Sequence, residues 1–368
     1  MRLKYILFVE DNENNRTLFQ HAINDWNEAH ADGGKAFVPH MSASYDEAVE
    51  ALRRFKFDCA ILDLRLPNVT GQDSPDVGNQ LAKDVLFEQG LPLAILSGHP
   101  DEIDGTLADL EIIRTFNKGD EDGYEQAIAW LADKWEMMEA LRAAKASIDQ
   151  SAAAVFAKRL WPQWATFSEL EDGNVEKITK IIARQYVSHI ADILGLDNDG
   201  AVGWHPFESY NIPSLFDTRA HTGDIFKIGD DLWIVLSPQC DMATQKVSNA
   251  ILAKCLVGLP ATWAENIENL RTKPSQAKVE KATRFFNDLV NQNLAVSIHF
   301  LPPLPGSAEP LRVTFPELMT MSLAELNGSL ASRVASVSSP FIPNLVQRFG
   351  AYISRTGQPN LEIEHFVA

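Results

Sequence analysis

Four places in this sequence carry side chains able to do chemistry together: the acid pair Glu10-Asp11, the acid Asp63, the hydroxyl of Ser97 and the amine of Lys118. Each stands at the end of an apolar run. Tyr5 to Val9 precedes the pair, Cys59 to Leu62 precedes Asp63, Leu93 to Leu96 precedes Ser97, and Ile112 to Asn117 precedes Lys118. Apolar residues in unbroken sequence suit strands buried on both faces of a parallel sheet. The carboxyl ends of such strands are where open α/β sheets bind their ligands. A single strand-end acid commonly does no more than cap a turn. Acids, a hydroxyl and a lysine at four successive strand ends are a set.

The elements that must position this set alternate. Leu3 to Val9 reads as a first strand, and Asn12 caps a helix to about Ala31 with Leu18, Ala22, Ile23 and Trp26 on one face. Gly33-Gly34 breaks it before a second strand, Phe37 to Met41. Ser44 with Glu47 opens a capped helix bearing Ala48, Leu52 and Phe55. After the strand ending at Asp63, Gln80 to Glu88 reads as a helix, Leu93 to Leu96 as the fourth strand, and Ile112 to Asn117 as the fifth. A short helix is expected from His99-Pro100 to about Leu110. Strands and helices alternating at this spacing imply a doubly wound parallel sheet.

The pieces ILFVEDN, ILDLRLPNVTG, AILSG and FNKG, in that order over residues 1–122, resemble the receiver domain of bacterial response regulators. The resemblance implies a flavodoxin-like five-stranded parallel sheet, order 2-1-3-4-5, with its site at the switch point. It implies that Asp63 is the phosphoacceptor, its carboxylate the nucleophile, with a histidine kinase as donor. Catalysis there is mainly placement and charge neutralisation. Mg²⁺ would be held by Asp11, Asp63 and the backbone carbonyl of Arg65, with Glu10 acting through water. Lys118 would offer a point charge to the phosphoryl oxygens and Ser97 a hydroxyl, while Gly98 leaves space beside them.

The sequence departs from the family in three places. The segment LPNVTGQDSPDVGNQ is longer than usual and brings Asp73 and Asp76, read as solvated loop acids. Gly119 replaces the proline that commonly follows the lysine. Thr115 stands where the family places the aromatic that reports phosphorylation, with Phe116 beside it.

Residues 123–159 form a long helical pattern, an extended linking helix that Leu160-Trp161-Pro162 ends. Two readings compete: a coiled-coil stalk making a homodimer, or a helix docked on the second domain. Residues 160–368 read as a separate α+β output or interaction domain. Val175 to Leu194 is an amphipathic helix, followed by the polar loop LDNDG. Asp224 to Ile228, Gly229-Asp230-Asp231 and Leu232 to Leu236 signal a hairpin. Further strands are expected at Ile251 to Val257, Ala295 to Leu301 and Val313 to Phe315, and helices at Gln276 to Val290 and Phe341 to Ile353. The stretch GDIFKIGDDLWIVLSPQCD is similar to small SH3-like barrels, including RNA-cleaving toxins, so such a barrel is expected around 220–315. Cys240 and Asp241, with His221 and His205 upstream, are candidates for a nucleophile or zinc site, although Cys-x-x-Cys spacing is lacking. Arg333, Arg348 and Arg355 suit salt bridges or an acidic partner.

The totals narrow the options. The chain has 368 residues, 45% hydrophobic and 22% charged, enough for two or three globular domains. Residues 1–122 hold 11 Lys+Arg against 23 Asp+Glu, net −12; the remainder holds 21 against 27, net −6. An acidic surface in both parts repels nucleic acid and acidic membrane faces, and no helix-turn-helix with a basic recognition face is present. Three cysteines make no disulfide framework, which fits a reducing cytoplasm. The reading is a cytoplasmic phosphorelay regulator, with no DNA or membrane partner. It acts on a protein effector and is no enzyme beyond phosphoryl transfer at its own receiver. The alternatives are a receiver-gated enzyme or RNA-acting domain in 160–368, and a receiver that is never phosphorylated and serves as a docking module.

Overall fold

The computed structural model describes residues 2–68, 70–171, 173–195, 203–214, 217–258, 262–293 and 295–357, the side chains of 167 and 170 excepted. The polar loop at 196–200 lies outside them. The chain divides into two compact units, Met1–Asn198 and Asp199–Ala368, so the division follows the amphipathic helix where the sequence reading placed it at 160.

The first unit is built on β1 (Arg2–Val9), β2 (Lys35–Ser42), β3 (Cys59–Leu62), β4 (Leu93–Ser97) and β5 (Ile113–Asn117), all parallel, in the order β2-β1-β3-β4-β5. This is the doubly wound, flavodoxin-like arrangement. Every residue of β3 and β4 is buried, which accounts for their lack of polar alternation. Successive β1 residues face opposite ways: Ile6 and Phe8 join one core with Phe19, Ile23 and Phe37, while Leu7 and Val9 join another with Leu62, Leu64 and Leu81.

Helices α1 (Glu13–Ala29), α2 (Tyr45–Arg54) and α3 (Pro75–Asp84) start at the caps Asn12, Ser44 and Ser74. On α1 the inward residue is Phe19, stacked on Phe8 with ring centroids 3.9 Å apart, while the expected Leu18 is 53% exposed. The enlarged loop is an ordered ribbon, Leu66–Pro67 paired with Asp73–Ser74. Its end caps α3, which therefore begins five residues before the expected Gln80. Between β4 and β5 the expected helix is reduced to a turn at Pro100–Glu102 and α4 (Gly105–Ala108).

The extended linking helix is two helices. Asp133 and Lys134 interrupt it, between α5 (Gly123–Ala132) and α6 (Trp135–Val155). The interruption lets both Trp130 and Trp135 enter the first unit's own core. Helical structure continues through a wide turn, Phe156–Leu160, into α7 (Trp161–Leu170). Pro162, expected to end the helix, stands instead in the first turn of α7, directly after that wide turn. Helix α8 (Val175–Gly195) packs beside α6.

The second unit is an antiparallel sheet with helices. Its strands are β6 (Tyr210–Asn211), β7 (Asp224–Ile228), β8 (Asp231–Val235), β9 (Asn249–Val257), β10 (Ile298–Leu301), β11 (Leu311–Ser322) and β12 (Arg333–Val337). Their order is β10-β11-β9-β8-β7-β12-β6. The expected hairpin is β7–β8, turning on Gly229 at φ 62°. The small SH3-like barrel expected around 220–315 is instead part of a larger open series. The β9–β11 ladder carries a register shift at Ala253/Lys254, and β12 and β6 extend the sheet beyond that stretch. Helices α9 (Gln276–Val290) and α10 (Ile342–Ile353) fall where expected.

His299 on β10 gives this unit an acid sensitivity. It is 3% exposed, its Nδ1 has no hydrogen-bond partner among the described residues, and burial with the Arg348 charge pushes its pKa from 6.5 down to about 3. Above pH 6.5 both folded and unfolded chains hold it neutral. Below that only the unfolded chain takes the proton, so each further pH unit costs about 1.4 kcal/mol. Between pH 6.5 and 5 the protein is expected to lose about 2 kcal/mol of hydrogen-exchange protection in β10 that His299→Gln does not lose. An equal loss in both proteins would remove His299 as the cause.

Candidate functional site

Strand register builds the site. Val9 pairs with Leu62, Leu62 with Ile95, and Ser97 with Asn117, so Glu10, Asp63, Ser97 and Lys118 emerge at one edge of the sheet. Ligand oxygens of Glu10, Asp11 and Asp63 lie within 4.8 Å of one another. Glu10 and Asp63 are buried, at 1% and 7% exposure, and Asp11 is the open member. Lys118 enters between them: its Nζ is 2.6 Å from Asp63 Oδ2 and ion-pairs with Glu10 Oε2. Burial raises the Glu10 pKa, and the Lys118 ammonium acts against that rise. Ser97 is 1% exposed, its Oγ accepting from the His99 N–H at 3.3 Å, and the space beside Gly98 is open.

The geometry brings together Glu10, Asp11, Asp63, Ser97 and Lys118, five of the expected residues. The guanidinium of Arg65 turns to Glu102, with Nε donating to Oε2 at 2.8 Å and a second bond between NH2 and Oε1. Asp73 and Asp76 are exposed and outside the carboxylate cluster, as read from the loop. In place of the usual proline, Gly119 donates its N–H to Asn117 Oδ1 at 2.8 Å, so an Asn side chain shapes that turn. Thr115 is exposed, and Phe116 is already buried against Trp130. Sequence reasoning passed over Asn15, Arg16 and Tyr124. The Tyr124 hydroxyl is pushed up to about 12 by burial and by the Glu10 and Asp63 charges it faces.

Helix α3 presses on the backbone of Leu64, the residue after Asp63. A Cβ at Gly78 would stand 2.1 Å from the Leu64 carbonyl oxygen and 2.4 Å from its Cα, both backbone atoms that cannot swing away. Gly78→Ala is expected to cost at least about 1–3 kcal/mol. It should also shift the peptide next to Asp63. Thermal unfolding of the variant reads the first effect, and an unchanged midpoint would refute the close contact.

The second unit's candidates form no three-ligand metal group among the described residues. Cys240 is exposed, its thiol 3.7 Å from Asp241 Oδ1, and the two form no three-ligand group with His221 or any other residue among those described. The expected zinc site is therefore corrected: among the described residues these side chains make no three-ligand metal group. Cys240 sits on a six-residue helix, Gln239–Thr244, and His221 instead lines a cavity of about 920 Å³ with Tyr210, Gln239 and Ser336. His205 is a helix cap, accepting from Phe207 N. Arg333 pairs with buried Asp224 at 3.0 Å, Arg348 donates to the carbonyl of Ile298 at 2.8 Å, and Arg355 lies 4.1 Å over the Tyr352 ring.

Solved structures similar to this chain include receiver domains. One is the signal receiver domain of an HD domain-containing protein from Pseudomonas fluorescens Pf-5: 18% identity, 38% of this chain and 99% of that one, TM-score 0.29. Another is a chemotaxis response regulator of Vibrio cholerae: 18% identity, 36% and 98% coverage, TM-score 0.26. A third is the receiver domain of a sensor histidine kinase from Pseudomonas aeruginosa PAO1 with a magnesium ion in its active-site cleft: 19% identity, 36% and 98% coverage, TM-score 0.27. Scores this low add nothing to the strand order, which by itself places the first unit in the flavodoxin-like class. No family model and no curated protein matches the sequence. No helix among the described residues is long and apolar enough to cross a membrane.

The donor set fits a small hard cation. Its three candidate ligands are all carboxylates, and Asp63 Oδ1 is buried without a hydrogen-bond partner among the described residues. Such an oxygen costs free energy unless something positive meets it.

Proposed function

We propose that the first unit is a phosphoryl-accepting receiver of a response regulator, with Asp63 as acceptor. The observation that carries this is the convergence of Glu10, Asp11, Asp63, Ser97 and Lys118 on one sheet edge, with the Lys118 ammonium between two buried carboxylates. Asp63 attacks the phosphorus of a phosphohistidine on a partner kinase. The carboxylate–phosphorus bond forms, the nitrogen–phosphorus bond breaks, and the imidazole leaves, taking a proton. Lys118 then follows the negative charge from the carboxylate to the phosphoryl oxygens, and the Ser97 hydroxyl donates to one of them. Mg²⁺, held by Asp11, Asp63 and the Arg65 carbonyl with Glu10 through water, would neutralise charge between acceptor and donor. Gly98 keeps the entry clear.

Residues 199–368 transmit the state to a protein effector rather than to DNA, consistent with net −18 over the chain and no basic half. The test is incubation with a small phosphodonor such as acetyl phosphate, with and without Mg²⁺, read by intact mass. A Mg²⁺-dependent gain of one phosphoryl group is expected; no gain would leave the first unit as a docking module.

A further inference from the structure

The first turn of α1 holds the acid pair from outside the cluster. Asn12 Oδ1 accepts from the N–H groups of Asn14 and Asn15 at 2.9 and 3.4 Å, which fixes the start of the helix. Asn15 Nδ2 then donates to Glu10 Oε1 at 2.9 Å, joined by the Asn12 N–H at 3.3 Å. One guanidinium nitrogen of Arg16 donates to the main-chain oxygens of both Glu10 and Asp11, at 2.7 Å each. A single donor thus pins two consecutive peptides.

This arrangement answers a physical difficulty. Three carboxylates within 4.8 Å of one another repel, and left to themselves would swing apart. Lys118 restrains only the inner oxygens, Glu10 Oε2 and Asp63 Oδ2. Resting on the reading of this edge as a cation-dependent receiver, we propose that Asn15 and Arg16 are positioning residues that hold Glu10 and Asp11 ready for a divalent cation. Asn15 sets the direction of the Glu10 carboxylate, and Arg16 sets the peptides from which both acids project. Neither touches the cation. Their contribution is pre-organisation, as for other partners that orient metal ligands.

The sign of the Arg16 effect separates this role from a charge effect. A guanidinium beside a cation site repels the cation, so its removal by charge alone tightens binding. If Arg16 positions the acids, its removal loosens binding instead. Mg²⁺ alone is titrated calorimetrically into the full chain at fixed ionic strength, with metal-free thermal unfolding measured alongside. Arg16→Met and Asn15→Leu are each expected to loosen Mg²⁺ by about 10-fold. Arg16→Lys, which keeps the charge and a donor, is expected to recover part of the loss. Equal or tighter binding by a folded Arg16→Met overturns the proposal. Where that variant does not fold, Asn15→Leu decides, since the Asn12 cap stays intact, and wild-type affinity in it overturns the proposal likewise. No Mg²⁺ uptake by the unaltered protein overturns the proposed function and this inference with it.

Discussion

Asp63→Asn is expected to abolish phosphoryl uptake from a small phosphodonor while leaving the fold in place. An amide nitrogen or oxygen at that position is no nucleophile, and no second acid in the cluster has the same surroundings. Glu10 is held at Oε1 by Asn15 and at Oε2 by Lys118, and Asp11 lies on the open side. The substitution also removes one of three mutually repelling carboxylates, so stability is expected to stay level or rise. Lys118 keeps Glu10 as an ion partner. Intact mass after incubation with Mg²⁺ and donor, beside a thermal unfolding curve, reads both effects. An undiminished mass gain in the variant would place the acceptor elsewhere and end the assignment of Asp63.

Trp135→Ala is expected to cost about 3–5 kcal/mol and to release the start of α6. Trp135 is 1% exposed. Its ring lies 5.2 Å from Phe37 and 6.1 Å from Trp26, and the ammonium groups of Lys35 and Lys4 lie 5.3 and 5.6 Å from its centroid. Its indole N–H finds no acceptor among the described residues, so the contribution is one of packing, and Trp135→Phe should retain most of it. Polar contacts further along α6 are of two kinds. Lys56–Asp149 joins side chains 85% and 61% exposed and contributes little. Arg142 meets Asp58, whose side chain is 1% exposed, at 2.5 Å, and Tyr5 N donates to the same oxygen at 2.7 Å. Burial raises the Asp58 pKa, so this anion is costly without its arginine. Denaturant unfolding and limited proteolysis within α6 test the claim. A loss below about 1 kcal/mol for Trp135→Ala would mean that α6 is held by its ion pairs instead.

Much of the first unit was legible because parallel strands buried on both faces write themselves as apolar runs. The residue after each run is then a site candidate from its position alone. Asp63, Ser97 and Lys118 were found in this way, with no contact information. Phe19 and Leu18 could not be separated by helical period alone, since both border the same stripe; packing against Phe8 chose Phe19. The break at Asp133-Lys134 was hidden because an apolar repeat continues across it, and a repeat records burial without saying against what. In the second unit, RVASV makes a strand from small residues that carry no apolar run, so β12 left no signal, and with it went the extent of the sheet. Cys240, Asp241 and His221 looked like a zinc site because their types are suitable, yet among the described residues they form no three-ligand group, since residue type does not fix the mutual distances a metal needs.

By itself the sequence determined that acids, a hydroxyl and a lysine stand at successive strand ends, because side-chain type and the end of an apolar run are local properties. The tertiary structure decided how those ends are held. Asn15 and Arg16 reach back to the acid pair, Gly78 lets α3 press against Leu64, and Trp135 folds α6 onto the first unit's own core. The first depends on the turn a helix makes after its cap. The other two join residues far apart in the chain, where only packing can choose the partner.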